Sequence, residues 1–112
     1  KTSFNTPHRN MVDFSHIPIV KRLTRMPVCV DPSHSVGTRD ASPDGILDVL
    51  HSMSQGIIAG ANMVLVDFHP FPTEALVDGP QALTLDELPK FIEDAQISRE
   101  AYKQRVALWT EK

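Results

Sequence analysis

Two short apolar runs, each followed at once by an acid, constrain the fold of this chain more than any other feature. Residues 28–30 (VCV) precede Asp31, and residues 63–66 (MVLV) precede Asp67. The second run is continuous rather than alternating, which is typical of a strand covered on both faces in a parallel sheet. Apolar residues with helical spacing over 46–59 separate the two runs. The pattern predicts a strand, helix, strand unit, and therefore an α/β fold.

The remaining segments predict mainly helices. We expect strands at 27–31 and 63–68, and a first helix over 14–25. The buried stripe of the helix over 46–59 is predicted to be Ile46, Leu50, Met53 and Ile57, with Gly60 ending the helix. A capping box over 84–87 (TLDE) predicts a helix to about residue 95, and Ser98 is predicted to cap a separate final helix through Trp109.

Composition and charge exclude several classes of protein. The 112 residues allow one domain, and the net charge of -3 with scattered basic residues argues against nucleic-acid binding. No apolar run is long enough to span a membrane. The single cysteine, Cys29, excludes an intrachain disulfide and fits a reducing, cytoplasmic location; we expect it to be a small core residue. His51 is expected to be a solvated surface histidine.

Acids and histidines follow both predicted strands. His34 comes shortly after the first strand, Asp67 and His69 end the second, and Asp78 follows in the next loop. Functional groups of parallel α/β folds gather at the carboxyl edge of the strands. Imidazole and carboxylate ligands suit manganese, iron, cobalt or zinc better than calcium, so these residues are candidates for a divalent-metal site. Caps and turn formers are the alternative interpretation of the same residues.

Four sequence blocks resemble those of one enzyme family. Residues 30–40 (VDPSHSVGTRD) resemble the D-P-S-H-S-x-G-R-R-D block of the 3-deoxy-heptulosonate-7-phosphate (DAHP) synthases related to 3-deoxy-octulosonate-8-phosphate synthases. Residues 66–70 (VDFHP) are similar to that family's E-x-H-P, and residues 74–83 (EALVDGPQAL) to its A-L-S-D-G-P-Q-S-L. Residues 9–19 (RNMVDFSHIPI) resemble its R-N-T-L-D-I-S-A-V-P-I.

The resemblance implies a transferase with a (β/α)8 TIM barrel. Such an enzyme condenses phosphoenolpyruvate with erythrose 4-phosphate to give DAHP and phosphate, the first step of the shikimate pathway and of aromatic amino acid biosynthesis. The family holds a divalent metal with a Cys, a His, a Glu and an Asp. By position, His34, Asp67 and Asp78 would be metal ligands here, with Asp67 in the place of the family's Glu.

The resemblance further implies that Asp31, Arg39 and His69 belong to the active site. Thr38 stands where the family has the first Arg of its R-R pair, and Cys29 does not match the family's metal cysteine.

By this resemblance, residues 1–96 form the C-terminal part of the barrel, with about two strands and their helices, and residues 97–112 form a helical extension. The barrel is incomplete without the remaining strands, since closure needs all eight. We therefore expect these residues alone to be inactive, to need the remaining barrel half from the same gene product or another chain, and to belong to a homo-oligomer. Alternatives are the sister 3-deoxy-octulosonate-8-phosphate synthase, which uses arabinose 5-phosphate, and a non-catalytic fragment that binds a partner chain.

Overall fold

The computed structural model describes residues 13–32, 41–69 and 82–111 of the chain. Its elements in chain order are helix α1 (His16–Thr24), strand β1 (Cys29–Val30), helix α2 (Asp48–Ile58), strand β2 (Met63–Val64), a 3-10 turn (Leu85–Glu87) and helix α3 (Leu88–Thr110). In these ranges, no helix is both long and apolar enough to cross a membrane.

The two strands pair in parallel, and α2 connects them along the chain. Cys29 is opposite Met63 and Val30 is opposite Val64, and the Leu65 amide extends the ladder by donating to the Val30 carbonyl at 2.9 Å. The predicted strand, helix, strand unit is confirmed. Both strands are shorter than predicted, because each has a single ladder partner in the described part of the chain.

One face of α2 supplies much of the core. Met53 and Ile57 are buried as predicted, together with Val49 and Gly56, whereas Leu50 of the predicted stripe is only partly buried. Ile46 is 39% exposed, since it precedes the first residue of the helix and therefore lies off its buried face. Gly60 follows the C-cap Ala59 and has a φ of 110°, a left-handed conformation that favours glycine and ends the helix.

Apolar side chains form two clusters in the described part of the chain. In the first, Ile17 of α1, Val30 and Ala61 are buried together. In the second, Val49 and Leu83 are buried, and the side chains packed against them are Leu47, Leu50, Val66, Phe68 and Phe91. The second cluster joins the start of α2, the chain after β2 and the start of α3 in one packed unit.

The predicted break near Ser98 is wrong, because α3 is continuous from Leu88 to Thr110. Ser98 is buried inside this helix, where its hydroxyl donates to the Asp94 carbonyl at 3.0 Å and its Oγ atom lies 2.8 Å from the Ser54 hydroxyl on α2. A serine that bonds back to the preceding turn has no role as a cap. The capping box over Thr84–Glu87 is present as predicted, and it opens the 3-10 turn that leads into α3.

The prediction that Cys29 is a core residue is also wrong. Its side chain is exposed on β1, whereas the next residue, Val30, is buried against α2. Successive strand residues point to opposite faces of a sheet. Of the two faces, the described helix α2 covers the one on which Val30 lies, so the other face presents Cys29, together with exposed Met63 and Leu65 on and just after β2.

Candidate functional site

The predicted strand-end acids lie at one edge of the sheet. Asp31 directly follows β1, and Asp67 follows β2 after two further residues. Because the strands are parallel and in register at Val30 and Val64, both strands deliver the chain to the same, carboxyl edge. This is the edge at which parallel α/β proteins carry their functional groups.

Backbone hydrogen bonds fix the chain around Asp67. Phe68 and Leu83 form a parallel bridge: the Leu83 amide donates to the Asp67 carbonyl, and the His69 amide donates to the Leu83 carbonyl, both at 2.8 Å. Phe68 also meets Phe91 of α3 edge to face, with ring centroids 5.6 Å apart. Asp67 and His69 are therefore carried on a segment held by a backbone bridge to Leu83 and by the packing of Phe68 against Phe91.

The candidate residues that the structure describes are all partly shielded from water. Asp31, Asp67 and His69 are half-buried, and the Oδ2 atom of Asp67 is inaccessible to solvent. The other three candidates, His34, Arg39 and Asp78, lie outside the described residues. Within 13–32, 41–69 and 82–111, the acids, histidines and cysteine form no group of three that could hold a metal.

The donor chemistry at this edge fits a divalent cation in part. Asp67 places a carboxylate oxygen that is shielded from water at the strand edge, and carboxylate oxygens are ligands for divalent cations. His69 adds an imidazole two residues away, and nitrogen with oxygen donors suits transition metals. His34 and Asp78, the remaining predicted ligands, have side chains of the same two donor types, but they lie outside the described residues.

A tight turn over residues 41–47 was missed by sequence reasoning. Ala41 and Leu47 form an antiparallel bridge, and the Ser42 amide donates to the Ile46 carbonyl at 3.1 Å. Within the turn, Asp44 Oδ1 accepts the Ile46 amide at 2.8 Å, while Asp44 Oδ2 lies 2.9 Å from Nε2 of His51 on α2. His51 is half-exposed, but it is engaged with Asp44 rather than simply solvated.

Two carboxyl groups near this turn have pKa values that are shifted in opposite directions. The Ile46 amide and His51 lower the pKa of Asp44. Burial raises the pKa of Asp94 on α3, and the positive charge of protonated His51 partly offsets that rise. The signal for this arrangement in the sequence was the Asp-Gly pair at residues 44–45, which predicts a turn, with a histidine one turn into the following helix.

Comparison with known proteins gives one consistent result. The model of the DAHP synthetase I family matches residues 2–105. A phospho-2-dehydro-3-deoxyheptonate aldolase of Thermotoga maritima is 34% identical over 92 residues, which cover 82% of this chain and 25% of that protein. A 2-dehydro-3-deoxyphosphooctonate aldolase of Geobacter sulfurreducens is 32% identical over 90 residues, covering 76% of this chain and 33% of that protein.

A solved structure has the same arrangement of elements. The crystal structure of the DAHP synthase of Thermotoga maritima matches 88% of this chain with a TM-score of 0.74 and 32% sequence identity. The matched region is 27% of that chain. The present chain thus spans about a quarter to a third of the length of the relatives it matches.

Proposed function

Because the chain belongs to the DAHP synthetase I family, we propose that the protein containing it condenses phosphoenolpyruvate with erythrose 4-phosphate. In this reaction a carbon–carbon bond forms between C3 of phosphoenolpyruvate and the aldehyde carbon of the sugar. Water adds at C2, and phosphate is released as DAHP forms. The observation that carries the proposal is the structural match to the Thermotoga maritima DAHP synthase over 88% of this chain.

The proposal assigns this chain part of a metal site at the carboxyl edge of the strands. His34, Asp67 and Asp78 would hold a divalent metal, one of manganese, iron, cobalt or zinc. Such a metal would supply Lewis-acid polarisation of the sugar aldehyde. The buried Oδ2 atom of Asp67 and its position after β2 support its place in this set.

The other three candidates would surround the metal site. Arg39 carries a fixed positive charge and a planar fork of donors, which suits a phosphate or carboxylate group of either substrate. Asp31 would support the site from behind the metal ligands and His69 would lie at its rim, which their half-buried positions after β1 and β2 support.

We further propose that this chain supplies two neighbouring strands of a (β/α)8 barrel. The support is the exposure of Cys29, Met63 and Leu65, which lie on the sheet face opposite α2. On α1, Leu23 is 77% exposed although it is a large apolar residue. Burial of such surface against further strands and helices is strongly favourable, at about 25 cal/mol per Å². The occupant we propose is the remaining part of the barrel.

The test measures phosphate release by the complete protein with phosphoenolpyruvate and each of two sugars. Faster turnover with erythrose 4-phosphate than with arabinose 5-phosphate is expected. The opposite preference would favour the sister octulosonate synthase, which the similarity to the Geobacter sulfurreducens protein supports. No turnover with either sugar, with manganese present, would contradict both proposals and favour a binding role.

The metal assignment has its own experiment. His34→Ala in the complete protein is expected to lower affinity for Mn²⁺, measured by calorimetry without substrate, and to lower turnover by orders of magnitude. His16→Ala, at an exposed position on α1, is the matched control and should leave both unchanged. Unchanged Mn²⁺ affinity in the His34 variant would remove that residue from the site.

A further inference from the structure

The turn over residues 41–47 lies between the candidate site and α2. It directly follows residue 40, so it comes two residues after Arg39 in the sequence. Two internal hydrogen bonds close the turn. The Gly45 amide donates to the Ser42 carbonyl at 2.9 Å, and the Ile46 amide donates to Asp44 Oδ1 at 2.8 Å. The turn is therefore an internally hydrogen-bonded unit. Contacts that attach it to α2 also determine its orientation.

Side chains join this unit to α2. Asp44 Oδ2 lies 2.9 Å from Nε2 of His51, and the Ser42 hydroxyl donates to Oδ1 of Asp48 at the longer distance of 3.3 Å. Among the described residues, the acids near His51 are Asp44 from the turn, Asp48 one turn earlier on α2, and Asp94 from α3. Because an ionised carboxylate only accepts hydrogen bonds, Nε2 of His51 is the donor in its contact with Asp44.

The turn also reaches the segment that carries Asp67. Its last residue, Leu47, packs against the buried pair Val49 and Leu83, and so do Val66 and Phe68, the neighbours of Asp67. Leu83 in turn hydrogen-bonds the backbone on both sides of Phe68. A displacement of the turn would therefore displace the strand end as well. The apolar cluster between them transmits the displacement, because a packed core has little free volume.

From this geometry we propose that Asp44 and His51 form a clamp that positions Asp67. The clamp holds the turn on α2, and the turn holds the apolar cluster that flanks the strand end. Both are positioning residues and neither touches substrate. The consequence for metal binding rests on the proposed function, whereas the effect on the strand end does not.

The first test is amide hydrogen exchange in the complete protein. His51→Ala is expected to accelerate exchange of the Leu83 and His69 amides, which bond across the strand end. His51→Gln keeps a donor at the place of Nε2 and should restore slow exchange. His16→Ala is the control, because its partner Asp13 is three residues away in the same segment and the contact ties down no separate turn. Unchanged exchange in His51→Ala would overturn the clamp.

A double-mutant cycle tests whether the two residues act as one unit. Asp44→Ala and His51→Ala should each weaken Mn²⁺ affinity about tenfold, at the lower end of the range for residues that orient a ligand, and the double variant should be no worse than either. Fully additive losses would contradict the clamp. If the parent protein binds no Mn²⁺, the metal assignment fails, and the exchange of the Leu83 and His69 amides alone decides on the clamp.

Discussion

Gly56 on α2 lies against the side chain of Val30 on β1, so closely that a Cβ built on Gly56 would fall 2.9 Å from Cγ1 of Val30. Such a distance is below any ordinary contact between carbon atoms, and the neighbour is a stiff, branched side chain. Because residue 56 has no side chain, α2 can approach the sheet closely. This approach places α2 against Val30, directly before the carboxyl edge of β1.

Gly56→Ala is expected to destabilise the protein by up to about 2 kcal/mol. Alanine is favoured over glycine in a helix by about 0.8–1.0 kcal/mol, but overpacking a core costs about 1–3 kcal/mol. Thermal or denaturant unfolding measures the difference. Gln55→Ala, at the exposed neighbouring position, is the control and should be neutral or slightly stabilising.

The same contact supplies a rescue experiment. In a Val30→Ala background the crowding at residue 56 is removed, and Gly56→Ala should become neutral or stabilising there. An equal destabilisation in both backgrounds would show that Val30 is not the cause of the strain.

The hydroxyl pair Ser54 and Ser98 is expected to join α2 to α3 measurably. Ser98 is 2% exposed, and its Oγ atom lies within hydrogen-bond distance of the Ser54 hydroxyl, at 2.8 Å. A hydrogen bond of this kind contributes about 0.5–1.5 kcal/mol, and Ser98→Ala should lower the free energy of unfolding by about that amount. Ser54→Ala and the double variant complete a cycle. A coupling energy indistinguishable from zero would argue that the two hydroxyls do not stabilise each other.

Sequence reasoning recovered the features that depend on local pattern. The unbroken run at 63–66 predicted the parallel pairing, and the stripe through Met53 and Ile57 predicted the buried face of α2. The prediction of a helix break at Ser98 failed, because serine can either cap a helix or hydrogen-bond to the preceding turn inside one. Only the packing of α2 on α3 distinguishes the two cases. The prediction that Cys29 is buried failed for a related reason, since the burial of a strand face depends on which elements cover that face.

The candidate site was predictable only through its position on the chain. The acids after two apolar runs place Asp31 and Asp67 at one sheet edge without any structure. The contact between Asp44 and His51 spans seven residues and a turn, and no pattern fixes the distance between a turn carboxylate and a helix side chain. The shielding of Asp67 Oδ2 also depends on tertiary packing, which no local pattern shows.

The charge at Asp67 is expected to matter more than its length. Asp67→Asn in the complete protein should lower Mn²⁺ affinity by more than the roughly 10- to 100-fold typical of residues that only orient a ligand, because it removes a negatively charged donor. Asp67→Glu keeps the charge and should retain or improve affinity. Asp86→Asn, an exposed acid in the 3-10 turn, is the control for loss of one charge. Equal affinity in the parent and Asp67→Asn proteins would exclude this ligand.

Asp94 makes stability depend on pH in a direction that can be worked out. Burial raises its pKa above the ordinary 3.8, so the folded state binds a proton that the unfolded state has already released. Stability from this group is therefore present below about pH 4 and is lost as pH rises through the raised pKa. Asp94→Asn should remove that loss, giving a flatter profile and a small gain at pH 7. Glu93→Gln makes the same charge change at the exposed preceding position. Thermal midpoints measured from pH 3 to pH 7 separate the two, and identical profiles for both variants would exclude burial of Asp94 as the cause.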